Sequence, residues 1–342
     1  MMRPRLQAER RITAHVWHAL LGACLALSPL GVDAEWQPRV DMLFPHQAHR
    51  AEVARGRIYV LGGRNGRGNL VHEIEMYDPG ADTWSHVGDM PSPRSIFGAA
   101  VWNDAIYVFG GNGAPLANLK SVVERYDPET GSWTRLTDMP IGRSAHSAQV
   151  VGDKIYVVGD SERVDRYDPA TDTWSRVADI PTFGIHFPTA SVNGKLYVFA
   201  GGDEADHVYQ YDPAADRWRE RAPRPTGRGV ALSTVVGGQV YVIGGFLHAP
   251  NAGPRVVEIY DPEDDSWRTG PSTANNHGHG AAVNINGVIY ALAGEVLLGA
   301  VQRVSQEVEA WDTGIRTVSP GSATALTTWG AIRERHRADA SG

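Results

Sequence analysis

The sequence has a single cysteine, Cys24, in 342 residues. A chain processed after residue 34 therefore has no thiol, which excludes disulfide staples, cysteine-ligated zinc and thiol catalysis. Lysine is almost absent, with Lys120, Lys154 and Lys195 standing against 29 arginines. Positive charge is in deficit as well, the formal net charge being −7. Residues 1–34 hold four arginines against Glu9 and Asp33, so the remainder carries 28 basic and 37 acidic residues, a balance of −9. A nucleic-acid partner is not expected, because neutralising phosphates needs a positive surface. No stretch is long and apolar enough to read as a transmembrane span. Turn-forming residues are abundant instead: 38 glycines and 21 prolines, among 42% hydrophobic and 21% charged residues. That is the composition of a globular, loop-rich chain with little long helix.

The N-terminus reads as an export signal spanning residues 1–34. Arg3, Arg5, Arg10 and Arg11 precede an apolar run from about Val16 to Leu30, and Val32-Asp33-Ala34 offers small residues for cleavage before Glu35. A secreted or periplasmic location is the expectation. Leu21-Gly22-Ala23-Cys24 also resembles a lipobox, which leaves a lipid anchor on Cys24 as the alternative.

From Glu35 onward one unit repeats. An apolar strand ending in small residues recurs as Ile58–Gly63, Ile106–Gly111, Ile155–Asp160, Leu196–Gly201, Val240–Gly245 and Ile289–Gly294. Tyr-Asp-Pro follows at Tyr77, Tyr126, Tyr167, Tyr211 and Tyr260, each with a tryptophan seven residues later. Residues 35–312 thus divide into six units of about 46 residues, the length of a propeller blade. Paired small residues permit positive φ, Asp-Pro presets a turn, and Asn193-Gly194, Gly237-Gly238 and Asn286-Gly287 suit two-residue hairpins. The sixth unit is incomplete: Trp311-Asp312-Thr313 stands in the Tyr-Asp-Pro place, with no tryptophan seven residues on. Trp36 to Met42 has the spacing of Trp84 to Met90, so Glu35 to Val40 reads as an outer strand without a blade.

These motifs resemble the kelch family over nearly the whole chain outside the leader and tail. The resemblance implies an all-β, six-bladed β-propeller with four antiparallel strands per blade, closed by the N-terminal strand completing the last blade. Residues 313–342 read as a linker and tail, in which Leu326, Trp329 and Ile332 line one face of a candidate short helix.

In such a blade, the loop entering the innermost strand and the loop after the second strand open on one side, and the length variation concentrates there. Thirteen residues before each second-strand tyrosine stand His46, Arg94, Arg143, Gly184, Arg228 and His277. Eleven before stand Ala48, Ile96, Ala145, His186, Val230 and His279; ten before stand His49, Phe97, His146, Phe187, Ala231 and Gly280. Ligand-binding kelch domains use loop residues around these places. The resemblance therefore makes His46, Arg94, Arg143, His186, Arg228, His277 and His279, with Glu295, the candidate binding residues for an acidic glycan or a protein segment. The competing reading makes Arg94 and Arg143 structural, bonding loop carbonyls. His46, His49, His277 and His279 with Glu295 or Glu52 also compose a conceivable metal set, but adjacent blades diverge at their rims, and neither metal nor cofactor is expected.

The leading expectation is a non-catalytic extracytoplasmic binding module. No nucleophile elbow, phosphate loop or metalloprotease motif is present, and the Tyr–Cys cofactor of kelch copper oxidases has no cysteine in the processed chain. The alternative is a periplasmic sugar epimerase resembling the kelch sialate epimerases. There Asp160, Asp203, Glu204 or Glu295 would be acid or base, with His186 or His279 assisting.

Overall fold

The computed structural model describes residues 35–113, 119–200, 206–247, 253–298 and 301–316. Residues 1–34 with Cys24, residues 317–342 with Leu326, Trp329 and Ile332, and the Asp203-Glu204 pair lie outside the described residues.

Six four-stranded antiparallel sheets form the rotor. Blade 1 comprises Arg50–Ala54, Arg57–Leu61, Glu73–Asp78 and Thr83–Asp89, from the axis outward. The innermost strands of blades 2 to 6 are Gly98–Trp102, Ser147–Val151, Thr189–Val192, Leu232–Val236 and Ala281–Ile285. The hairpins leaving them turn as the dipeptides require: Asn193 and Gly194 lie at φ 50° and 71°, Gly237 and Gly238 at 58° and 82°.

Each Tyr-Asp-Pro tyrosine lies opposite the tryptophan seven residues later, for example Tyr77↔Trp84 and Tyr167↔Trp174, with ring centroids about 5 Å apart. The second-strand tyrosine of one blade then meets that aromatic pair on the next. Tyr59–Tyr126, Tyr107–Tyr167, Tyr156–Tyr211, Tyr197–Tyr260, Tyr241–Trp311 and Tyr290–Tyr77 all have centroids 5.6–6.2 Å apart. Such pairs contribute about 0.5–1.5 kcal/mol each beyond area burial. The junction between blades 6 and 1 is made like the other five.

That junction depends on the first strand. Gln37–Arg39 pairs antiparallel with the last strand of blade 6, Gln37 opposite Ala310 and Arg39 opposite Val308. Trp36 stands 5.9 Å from Trp311, taking the tryptophan place of a sixth Tyr–Trp pair. Its Nε1 donates to Pro271 O at 3.0 Å, as Trp84 donates to Val40 O at 2.9 Å and Trp218 to Ala178 O at 2.9 Å. The N-terminal strand completes the last blade. Blade 6 also extends past its neighbours, since Val288–Leu298 and Val301–Asp312 form a long hairpin with a register shift between Leu292 and Gly294.

Candidate functional site

The segment linking one blade's outer strand to the next blade's innermost strand carries most of the candidate residues. Its thirteenth-back side chain turns under its own blade. His46 Nδ1 faces Gly62 O at 2.8 Å and its Nε2 faces Glu75 at 2.6 Å. Arg94 donates to Gly110 O and to Glu124, Arg143 to Gly159 O at 2.9 Å and Asp165 at 2.6 Å. Arg228 donates to Gly244 O and Glu258, and His277 sits 2.9 Å from both Ala293 O and Glu309. All five side chains are fully buried. The expectation that His46, Arg94, Arg143, Arg228 and His277 converge on a ligand is corrected here. Each is a strut that ties its loop to the carbonyl of the first small residue and to a carboxylate two residues before the Tyr-Asp-Pro aromatic. The physical reason is desolvation: a polar side chain taken out of water must give its N–H groups to a carboxylate and to backbone carbonyls. Glu309 shows the balance, since burial pushes its carboxyl up but His277 and the Ala274 and Asn275 N–H groups hold it below its usual value.

Among the described residues blade 4 has no strut from its own loop. Gly184 stands in the place of the arginine or histidine, and Tyr209 stands in the carboxylate's. The Gly184 loop exposes Phe183 at 64% and Ile185 at 46%; in the strutted His46 loop Leu43 and Phe44 are exposed less, 46% and 38%.

Two residues further on, the chain makes a rim around the axis. Ala48, Ile96, Ala145, His186, Val230 and His279 all have φ between 48° and 56°, a left-handed conformation that is a genuine outlier for the β-branched Ile96 and Val230. It lets their main chains bond in sequence round the channel. Ile96 N donates to Ala48 O, Ala145 N to Ile96 O, His186 N to Ala145 O, His279 N to Val230 O and Ala48 N to His279 O, at 2.6–3.3 Å. Among the described residues the sixth link, from Val230 N to His186 O, is not made, so the rim is open between blades 4 and 5. The His186 and His279 rings, from blades 4 and 6, meet edge to face, 4.8 Å apart. Burial, with His279 and Arg50 nearby, pushes the His186 ring down to about 3. His279 Nδ1 also faces Glu295 at 3.1 Å. Of the eight candidates, the structure therefore brings His186, His279 and Glu295 to the channel mouth.

Below the rim lies a cavity of about 390 Å³ along the axis, within the range of small-molecule sites. The innermost strands that line it carry two charged residues, Arg50 and Glu52, both from blade 1. Burial pushes the Glu52 carboxyl up to about 7 against the opposing pull of Arg50. Sequence reading passed over Arg50 and weighed Glu52 only as a metal ligand. The available signal was the contrast of Arg-Ala-Glu-Val-Ala with uncharged segments at the same place in the other units. Of the acids suggested for proton transfer, Asp160 is occupied by Ser144 N at 2.8 Å, and Glu295 by His279 and Gln302. Among the described residues no three His, Cys, Asp or Glu side chains are grouped to hold a metal ion.

A KLHDC2/KLHL20/DRC7 kelch-repeats domain model matches residues 34–190, and a kelch motif model matches residues 185–225 and 231–273. Alpha-scruin of Limulus polyphemus is 37% identical over 79 residues, 22% of this chain and 8% of that protein. Kelch-like protein 35 of Mus musculus is 32% identical over 77 residues, 22% of this chain and 12% of that one. These matches span only about a tenth of the relatives' own length. The solved structure titled "Structure of YjhT" has a TM-score of 0.65 at 17% identity, covering 78% of this chain and 95% of that one, a likeness of fold. With the repeat motifs, the matched models and the closed six-bladed rotor in agreement, this chain belongs to the kelch-repeat β-propellers.

Proposed function

We propose that the protein is an exported, non-catalytic interaction module that grips a protein partner through the loop face of the propeller, with blade 4 as the anchor. One observation carries this reading: Phe183 and Ile185 are exposed on either side of Gly184, in the blade that lacks a buried strut. Five loops are tied down by a buried arginine or histidine bonded to a carboxylate; the sixth is released from that constraint and presents an aromatic and a branched apolar side chain just before His186. Exposed aromatic anchors at a rim of polar groups are the usual energetic centre of a protein interface. The negative balance outside the leader disfavours an acidic glycan as the main partner. Export rests on the arginines and apolar run of residues 1–34.

The test is site-specific photocrosslinking in cells that make the full chain. A benzophenone side chain at position 183 should give a discrete protein adduct that Ile185→Ser removes. The same probe at position 129, in an exposed Asp-Pro turn on the other face, should give none. Adducts of equal yield from both positions would overturn the reading. Fusing residues 1–40 to a reporter active only after export tests the location separately.

A further inference from the structure

The channel poses a problem of charge that the loop face does not solve. Arg50 and Glu52 are two residues apart on one strand, so their side chains leave on the same side with Cα atoms roughly 6.6 Å apart. They form no ion pair with each other. The Arg50 guanidinium is fixed by bonds to His49 O at 3.2 Å and His146 O at 3.1 Å, which leaves about three of its five N–H donors without an acceptor among the described residues. Glu52 accepts no hydrogen bond from any described residue, although it lines the same cavity. Gln149, Thr189, Ser191 and Thr234 line it too, and their side chains likewise have no protein partner among the described residues. Ala51, Ala99, Ala148 and Gly280 leave the space between them open.

We infer that this channel is a binding site for a small zwitterion of the α-amino acid class, its carboxylate on Arg50 and its ammonium on Glu52. A lone anion would leave Glu52 facing it and a lone cation would meet Arg50. A neutral polyol would leave the Arg50 charge without a counterion inside the channel, where charge pairs gain most. An α-amino acid satisfies both at once, because its two charged groups share one carbon and each needs a single hydrogen bond of about 2.9 Å to its partner. The site lies beneath the rim and does not use Phe183 or Ile185, so it stands independently of the partner-binding face.

The ammonium also forces Glu52 to ionise. With its carboxyl at about 7, binding at pH 7 releases about half a proton per ligand. The experiment screens the twenty common α-amino acids by thermal shift on the full processed chain. The strongest is then titrated by calorimetry in two buffers of different ionisation heat. At least one should raise the melting temperature. Its methyl ester and its deaminated acid should bind at least tenfold more weakly. Glu52→Gln should lose tenfold in affinity and abolish the buffer dependence, while Arg50→Met should lose affinity and keep it. Glu52→Gln keeps the shape of the side chain, so it remains informative if Arg50→Met fails to fold. No shift with any amino acid, equal binding of the deaminated acid, or an unchanged proton release in Glu52→Gln would each overturn the inference.

Discussion

Arg224 donates through Nη2 to Ala200 O at 2.7 Å, and by that bond reaches back from the approach to blade 5 into blade 4. Ala200 O is the carbonyl that its counterparts Gly62, Gly110, Gly159, Gly244 and Ala293 offer to the strut of their own blade. Blade 4 keeps that acceptor satisfied without a cation in its own loop, and the same Arg224 nitrogen also holds Arg228 O at 2.8 Å. The constraint is moved out of the Gly184 loop, and this leaves Phe183 and Ile185 free of it.

In blade 5 the strut is Arg228, fully buried against a Glu258 that is itself 2% exposed. Arg228→Ala should lower stability by about 3–5 kcal/mol, since it strands a buried carboxylate. The charge-free pair Arg228→Met with Glu258→Leu should cost less than the single change. Urea denaturation of the three proteins measures both. A double variant less stable than Arg228→Ala would show that the carbonyl bonds to Gly244 and Val242, more than the charge pair, are what the strut supplies.

The architecture was legible because its determinants are local and repeat: tyrosine and tryptophan seven apart, paired small residues, and Trp36 spaced from Met42 like a displaced blade end. The site was less legible. Counting back from a tyrosine locates a loop residue but leaves open whether its side chain points outward or folds beneath the strand. The deciding clue was present in Glu75, Glu124, Asp165, Glu258 and Glu309, which accompany the loop arginines and histidines and vanish together with one at Gly184 and Tyr209. Arg50 and Glu52 belong to no repeated motif, and their importance appears only when six inner strands meet on one axis.

Stability should fall in mild acid through His49 and His146, both fully buried. Burial lowers each ring well below its ordinary value, with His46 and Arg50 adding to the effect on His49, and Arg143 and Arg50 on His146. Below about pH 6.5 the unfolded chain takes up protons that the folded state refuses. The full stability is therefore present above that pH and declines by about 1.4 kcal/mol per pH unit for each ring as pH drops. Phe97 and Phe187 occupy the same place in blades 2 and 4, so His49→Phe is a native-like replacement. Denaturant melts between pH 7 and 5 should show a slope shallower by about 1.4 kcal/mol per unit in the variant. An unchanged slope would mean that the His49 ring is protonated in the fold.

Trp36 is 9% exposed, packs at a tilt against Trp311 and donates to Pro271 O. Trp36→Ala should cost about 3–5 kcal/mol and Trp36→Phe only about 1–2, the ring being kept and the hydrogen bond lost. Because this strand closes the rotor, the loss should appear as a lower melting temperature of the entire domain in one cooperative transition. A separate early transition confined to blade 6 would show that the circle is not a single folding unit.

The seam between blades 1 and 2 can be strengthened. Elsewhere the Tyr-Asp-Pro tyrosine donates to an aspartate five residues on, Tyr77 to Asp82, Tyr167 to Asp172, Tyr211 to Asp216 and Tyr260 to Asp265. Those aspartates lie at φ 46–52°. In blade 2 the place is Gly131, at φ 69° with nothing within 4 Å of a built Cβ. Tyr126 thereby has no such acceptor, and Trp133 Nε1 is buried without a partner among the described residues, next to a register shift in blade 1 near Gly88. Gly131→Asp should recover the tyrosine bond, adding about 1 kcal/mol and raising the melting temperature by about 2 °C. Gly131→Ala, which adds the Cβ at positive φ with no acceptor, should lower it. If both variants move the melting temperature in the same direction, backbone conformation and not the missing acceptor governs this seam.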